Sequence, residues 1–232
     1  MQLYGSRGCQ TLQEKTICIF GQYQKICLNL HPMKECEKQV IWSENVVIAD
    51  ADYIDKVSFN LIVNFERMLN RRIPQADLAR WIDCIALDGG IREGDNHVQV
   101  ILIHSKQQEA LANFRPSNYA TELNGMAFRD HLGEFAISAF PTEPIVTQQD
   151  FLLDILSMAC AQDSIKRIML IADTTQMLGK IKAVLKHVDE EKKRITLFDM
   201  QPLTPGPYRQ EILGYSLMNA MGIKSEEFSQ AQ

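Results

Sequence analysis

Asn45-Val-Val-Ile-Ala-Asp50-Ala-Asp52-Tyr-Ile-Asp55 decides the fold. Its first half is a short, β-branched, nearly unbroken apolar run that stops on an acid. Such runs suit strands covered on both faces, as in a parallel sheet, and not strands with one wet side. Four further segments have the same character: Val98-Gln-Val-Ile-Leu-Ile-His104, Glu134-Phe-Ala-Ile-Ser-Ala-Phe140, Arg167-Ile-Met-Leu-Ile-Ala172 and Arg194-Ile-Thr-Leu-Phe198.

Helical spacing fills the intervals. Val57, Leu61, Ile62, Phe65, Met68 and Leu69 form one apolar stripe. Leu78, Trp81, Ile82 and Ile85 form a second, which Asp88-Gly89-Gly90 closes as a helix stop. Stripes at Phe151–Ala159 and Met177–Val188 give a third and a fourth. A stiff Pro202-Leu-Thr-Pro205-Gly-Pro207 turn precedes a last helix near Arg209–Met221, apolar over a wide arc and therefore buried by its own domain or by a second subunit. A helix is also expected near Gln107–Asn113, with Arg115-Pro116-Ser117-Asn118 opening either another helix or a loop insertion. Strands alternating with helices predict an α/β three-layer sandwich around a mostly parallel five-stranded sheet, order 3-2-1-4-5, PIN/Rossmann-like in layout. Residues 41–223 read as a single α/β domain and 224–232 as a frayed tail.

Residues 1–40 do not share this patterning. They carry Cys9, Cys18, Cys27 and Cys36, four of the six cysteines, and a local charge of +2 against −7 for the rest of the 232-residue chain. The nine-residue spacing of the cysteines is not that of zinc ligands, which come in close pairs. The segment reads as a poorly structured N-terminal extension, explained either by a natural start at Met33 or by a redox or metal-binding arm. Its longest apolar stretch, Ile17 to Phe20, is too short for a signal peptide, so free thiols in the cytoplasm are expected. No apolar run reaches the ~20 residues of a membrane span, and the net charge of −5 argues against a broad nucleic-acid surface.

In open α/β sheets ligands bind beyond the carboxyl ends of the strands, where the strand order reverses. Asp50 follows the first strand and Asp173 the fourth, with Asp52 two residues beyond Asp50. Carboxylates collected there need a divalent cation or a shared proton, and Mg²⁺ or Mn²⁺ prefers such oxygen ligands. Asp150, with Asp154 on the same helix face, is a further candidate ligand, and His104 and Ser105 end the second strand beside the same crevice. Helix capping competes with that account. Asp173-Thr-Thr-Gln176, Asp52-Tyr-Ile-Asp55 and Thr147-Gln-Gln-Asp150 all have the form of N-terminal capping boxes, whereas Asp50 suits capping less well. Lys192-Lys193-Arg194 and Arg71-Arg72 read as solvated turns. Neither a Walker-type loop nor G-x-G-x-x-G or G-x-S-x-G is present, which counts against the common nucleotide-binding and serine-hydrolase mechanisms.

Val46–Asp55 together with Arg167-Ile-Met-Leu-Ile-Ala-Asp173 resembles the PIN-like nuclease fold and its NYN branch over about residues 44–200. The resemblance implies Mg²⁺ or Mn²⁺ held by Asp50, Asp173 and Asp150, with Asp50, Asp52 and Asp173 as the catalytic acids and RNA as substrate. The branch's usual Ser-Gly-Asp-Ser-Asp run stands here as Ile171-Ala-Asp173-Thr-Thr175, so a relative without activity is the companion expectation. Asp50-Ala-Asp52 also resembles the haloacid-dehalogenase phosphatase motif, with Asp50 as nucleophile, Asp52 as acid and Ser105 after the second strand, although Tyr53 and Ile54 replace the residues that normally follow. Trp81–Gly90 and Glu211–Met218 are similar to an uncharacterised family of Bacteroides-type bacteria, which implies a cytoplasmic bacterial protein. Three functions thus stand open: a metal-dependent RNA hydrolase or its silent relative, a non-catalytic interaction module dimerising through the C-terminal helix, and a phosphatase.

Overall fold

The computed structural model describes residues 4–5, 42–143, 146–224 and 226–227. Met33, the four N-terminal cysteines and the end of the tail lie outside the described residues.

In chain order the elements are β1 (Tyr4–Gly5), β2 (Asn45–Asp50), α1 (Ala51–Leu69), β3 (Ala76–Asp77), α2 (Leu78–Asp88), β4 (Asn96–Ser105), β5 (Phe114–Arg115), a π-helical turn (Tyr119–Leu123), β6 (Met126–Arg129), β7 (Gly133–Thr142), α3 (Gln148–Ala161), β8 (Arg167–Ile171), α4 (Thr174–Leu185), β9 (Arg194–Asp199), β10 (Arg209–Ile212) and α5 (Leu213–Ala220). The main sheet runs β6-β7-β4-β2-β8-β9-β10, with the two-residue β1 outside β6. From β7 to β10 all pairings are parallel; β6 runs antiparallel to β7, and β1 to β6.

A five-stranded sheet in the order 3-2-1-4-5 is therefore a correction. The runs read as strands are β2, β4, β7, β8 and β9, but the sheet continues past them at both edges and the order of the whole differs. The edge strands were illegible for a physical reason: β6 and β10 are only four residues long, β6 (Met-Ala-Phe-Arg) offering just three apolar residues in a row and β10 (Arg-Gln-Glu-Ile) being partly exposed along its length.

Alternate residues of β2 serve opposite faces, as the two-residue period of a strand requires. Val47 and Ala49 join one apolar cluster with α1, α2 and α5; Val46 and Ile48 join another with α3 and α4. The apolar arc of α5 is filled by its own chain, where Leu213, Leu217, Ala220 and Met221 are buried, which leaves Tyr215 as its exposed aromatic.

Two helix expectations change. Arg209–Ile212 is not the start of the last helix but an edge strand on β9, and the helix begins at Leu213. Gln107–Asn113 forms no helix, because its backbone is engaged elsewhere: Tyr119 N donates to Glu109 O, Leu111 N to Ser117 O and Ala76 N to Asn113 O, while Asp55 accepts from Asn113 N. The expected stop after α2 is present, with Gly89 as cap and Gly90 at φ +90°, a conformation that favours glycine. Among the described residues no helix is long and apolar enough to cross a membrane.

Candidate functional site

The parallel register places acids at one rim. β2 pairs with β8 through Ala49 and Ile171, so Asp50 and Asp173 leave neighbouring strands at the same end. On the other side β4 pairs with β2 and carries Ser105 to that rim, while β8 pairs with β9, which ends on Asp199.

Asp50 is buried and is the N-cap of α1, accepting from Tyr53 N at 2.9 Å. Capping thus falls on Asp50 and not on Asp52, because the helix starts immediately after the strand. Gln148 Nε2, from the first turn of α3, donates to the same oxygen, Oδ1, at 2.7 Å. Burial lifts the Asp50 carboxyl to about 6; the Tyr53 amide opposes the rise, and the charges of Asp52 and Asp173 add to it.

Asp52 lies in the first turn of α1 and reaches across to β4. Ser105 N meets its Oδ1 at 3.3 Å and its Oδ2 at 3.1 Å. Burial raises this carboxyl as well, against the Ser105 amide and the neighbouring His104. Asp173 caps α4, its Oδ1 accepting from Thr175 N at 3.1 Å, as the capping box predicts. Asp199 is buried and takes donors on both oxygens, Gln201 N at 2.9 Å and the Thr174 hydroxyl.

Two tyrosines belong to this rim. The Tyr53 phenol is raised by burial and then by Asp199, Asp173 and Asp50. Tyr119 stacks on His104 with ring centroids 3.7 Å apart, and its phenol is raised by burial and by Asp52, Asp55 and Asp50. His104 is buried with Nδ1 3.0 Å from the Ser105 carbonyl, a contact that makes Nδ1 the donor; burial lowers its basicity.

Asp50, Asp52 and Asp173 thus act on one electrostatic neighbourhood. Asp150 is engaged elsewhere: its carboxylate accepts from the Thr147 hydroxyl and pairs with Lys180 at 3.2 Å, and these two partners hold it below the usual range. Among the described residues no group of three or more His, Cys, Asp or Glu side chains is placed to hold a metal ion. The apolar run of the fifth strand stops at Phe198, but the strand itself extends one residue further to Asp199, which the rule that selects Asp50 and Asp173 selects too. Gln148 and the tyrosines carry no sequence signal. Lys193, read as part of a solvated turn, is buried, its Nζ donating to the carbonyls of Ala159, Cys160 and Gln162 and so closing the end of α3.

The chain belongs to the family of unknown function DUF6621, whose family model matches residues 39–228. Neither a curated protein nor a solved structure matches it.

Proposed function

We propose that this member of the family hydrolyses phosphodiesters, RNA foremost, with Mg²⁺ or Mn²⁺ held by Asp50 and Asp173. The observation that carries the reading is Asp50 itself. It is buried beside two other acids, and its hydrogen bonds from Tyr53 N and Gln148 Nε2 both fall on Oδ1. The Thr175 amide bond to Asp173 also falls on Oδ1, and a cation would be met by the carboxylate oxygens that these donors leave open. Mg²⁺ is commonly held by one or two carboxylates plus water and substrate phosphate, so two protein ligands suffice. When bound, the cation supplies Lewis-acid polarisation of the phosphoryl group. Asp52 is held by Ser105 N and raised by burial, and it is the group that takes a proton from attacking water.

A second reading rests on the same hydrogen bonds. Each carboxylate already has a backbone donor, from Tyr53, Ser105 or Thr175, as capping and loop anchoring alone require. On that reading the domain acts through protein contacts.

Thermal unfolding in Mn²⁺ separates the two, because a ligand that binds only the native state raises its stability. The hydrolase reading expects millimolar Mn²⁺ to raise the wild-type Tm and to leave Asp50→Asn unmoved, with metal-dependent cleavage of single-stranded RNA lost in the variant. Absence of both effects assigns the domain to protein contacts. Turnover of a phosphomonoester instead of RNA, abolished by Asp50→Asn, makes Asp50 a phosphatase nucleophile.

A further inference from the structure

A second pair of acids lies away from the rim, between α2 and the turn that joins β6 to β7. Asp83 is on α2; Asp130 opens the turn. Their carboxyl groups are within side-chain hydrogen-bonding reach of each other. Asp130 Oδ1 accepts from Leu132 N at 2.8 Å and from Gly133 N at 3.3 Å, and so shapes the turn. Its Oδ2 and the Oδ1 of Asp83 are fully buried and meet no donor. The Asp130 side chain is only 9% exposed.

Two ionised carboxylates in contact, each with a buried oxygen lacking a donor, would combine desolvation with like-charge repulsion. One proton between them removes both penalties, since it turns one oxygen into a donor and the other into its acceptor. A hydrated cation does not fit the same place, because neither oxygen touches solvent. We propose that Asp83 and Asp130 share a single proton at neutral pH and that this proton fastens α2 to the β6–β7 turn, so that alkaline solution releases the turn.

The titration supports the geometry. Asp83 is raised to about 8, by burial first, then by its hydrogen bond to Asp130 and by the charges of Asp130 and Asp77. The other groups around the pair are Cys84 on α2, whose thiol is raised by burial and by Asp88 and Asp83, and His131 in the turn, with Nδ1 3.8 Å from Asp130 Oδ2. Arg129 is paired with Asp95. The His131 side chain is exposed. A carboxyl raised in the folded state contributes stability that is complete below its unfolded pKa and is lost as pH rises through the folded value, here about 8.

Amide hydrogen exchange tests the latch on the full chain. Beyond the intrinsic base catalysis of exchange, protection at Leu132 and Gly133 is expected to fall at least several-fold between about pH 6 and pH 10 in the wild type. Asp83→Asn puts an amide donor where the proton was and is expected to keep that protection across the range. Asp130→Asn retains an oxygen for both turn amides and gives the same result, which covers a failure of the first variant to fold. Equal alkaline loss in wild type and variants overturns the proposal. So does rescue of the wild-type turn by Mg²⁺ in alkali, which would put a cation where the proton is drawn.

Discussion

The two acid groups differ less in depth than in company. Asp50 is almost wholly buried, yet its carboxyl rises only to about 6. Asp83 is half-buried, yet it rises to about 8. At the rim, backbone amides and Gln148 point donors at the carboxylates. At the turn, Asp83 has an acid for its neighbour and its buried oxygen has no donor. Donors decide whether a buried carboxyl stays charged, and burial sets only how much is at stake. At the rim the donors favour the charged form of the acids, and at the α2 pair an acid neighbour and a missing donor work against it.

The sharpest way to break this contrast is to remove the charge at the rim. Lifting Asp50 from 3.8 to about 6 corresponds to about 3 kcal/mol, at 1.36 kcal/mol per pKa unit. The sign follows from the raised value: the wild type holds this stability in full below its unfolded pKa and loses it as pH climbs through about 6. Asp50→Asn keeps an oxygen for the Tyr53 amide and Asn is a good N-cap, so the variant is expected to be the more stable protein, by up to about 3 kcal/mol at neutral pH and by nothing in strong acid. Urea unfolding across the pH range measures it. A variant less stable than wild type at neutral pH means that the donors already outweigh the repulsion. A gain in stability joined to a loss of metal response would show that the acid is retained for function.

The converse experiment takes a donor away. Asp199 is buried, and the Thr174 hydroxyl is the donor to its Oδ2. Thr174→Val keeps the shape and deletes the hydroxyl, leaving a buried carboxylate oxygen unpaired at a cost of about 2 kcal/mol. Denaturant unfolding at neutral pH reads this directly. An unchanged midpoint would mean that water reaches Asp199 and that the rim is wetter than its burial indicates.

How much of this was open to sequence reading follows the same division. The five central strands were legible because burial on both faces leaves uninterrupted apolar runs, and Asp50 and Asp173 because acids directly after such runs mark the rim. Asp173 and Thr147 were legible as caps, since capping is a local code. What depends on contacts between distant segments was not. Asp83 and Asp130 are 47 positions apart on an ordinary helix and an ordinary turn, and Lys193 looks like any surface lysine until the end of α3 is folded over it. Gln107–Asn113 shows the same limit from the other side, since its backbone bonds to Asp55, Ser117 and Tyr119, residues outside the segment, and not to itself.

The smallest expected effect is the most direct probe of whether the rim acids sense one another. Asp173→Ala removes the N-cap of α4, worth about 1 kcal/mol on its own. It also removes a negative charge that acts on Asp50, and that relief runs the other way, so the net loss at neutral pH is expected to be below the cap's worth. In acid Asp50 is protonated, the relief vanishes and the full cap cost returns; the variant should therefore look worse in acid than at neutral pH. Carbon-13 titration of the Asp50 carboxyl supplies the independent reading. Its midpoint is expected to move down from about 6 in the variant, because one of the charges holding it up has gone. A midpoint that stays put would mean the two strand ends, although paired in the sheet, carry carboxylates that do not share a field, and a cation bridging them would have no basis.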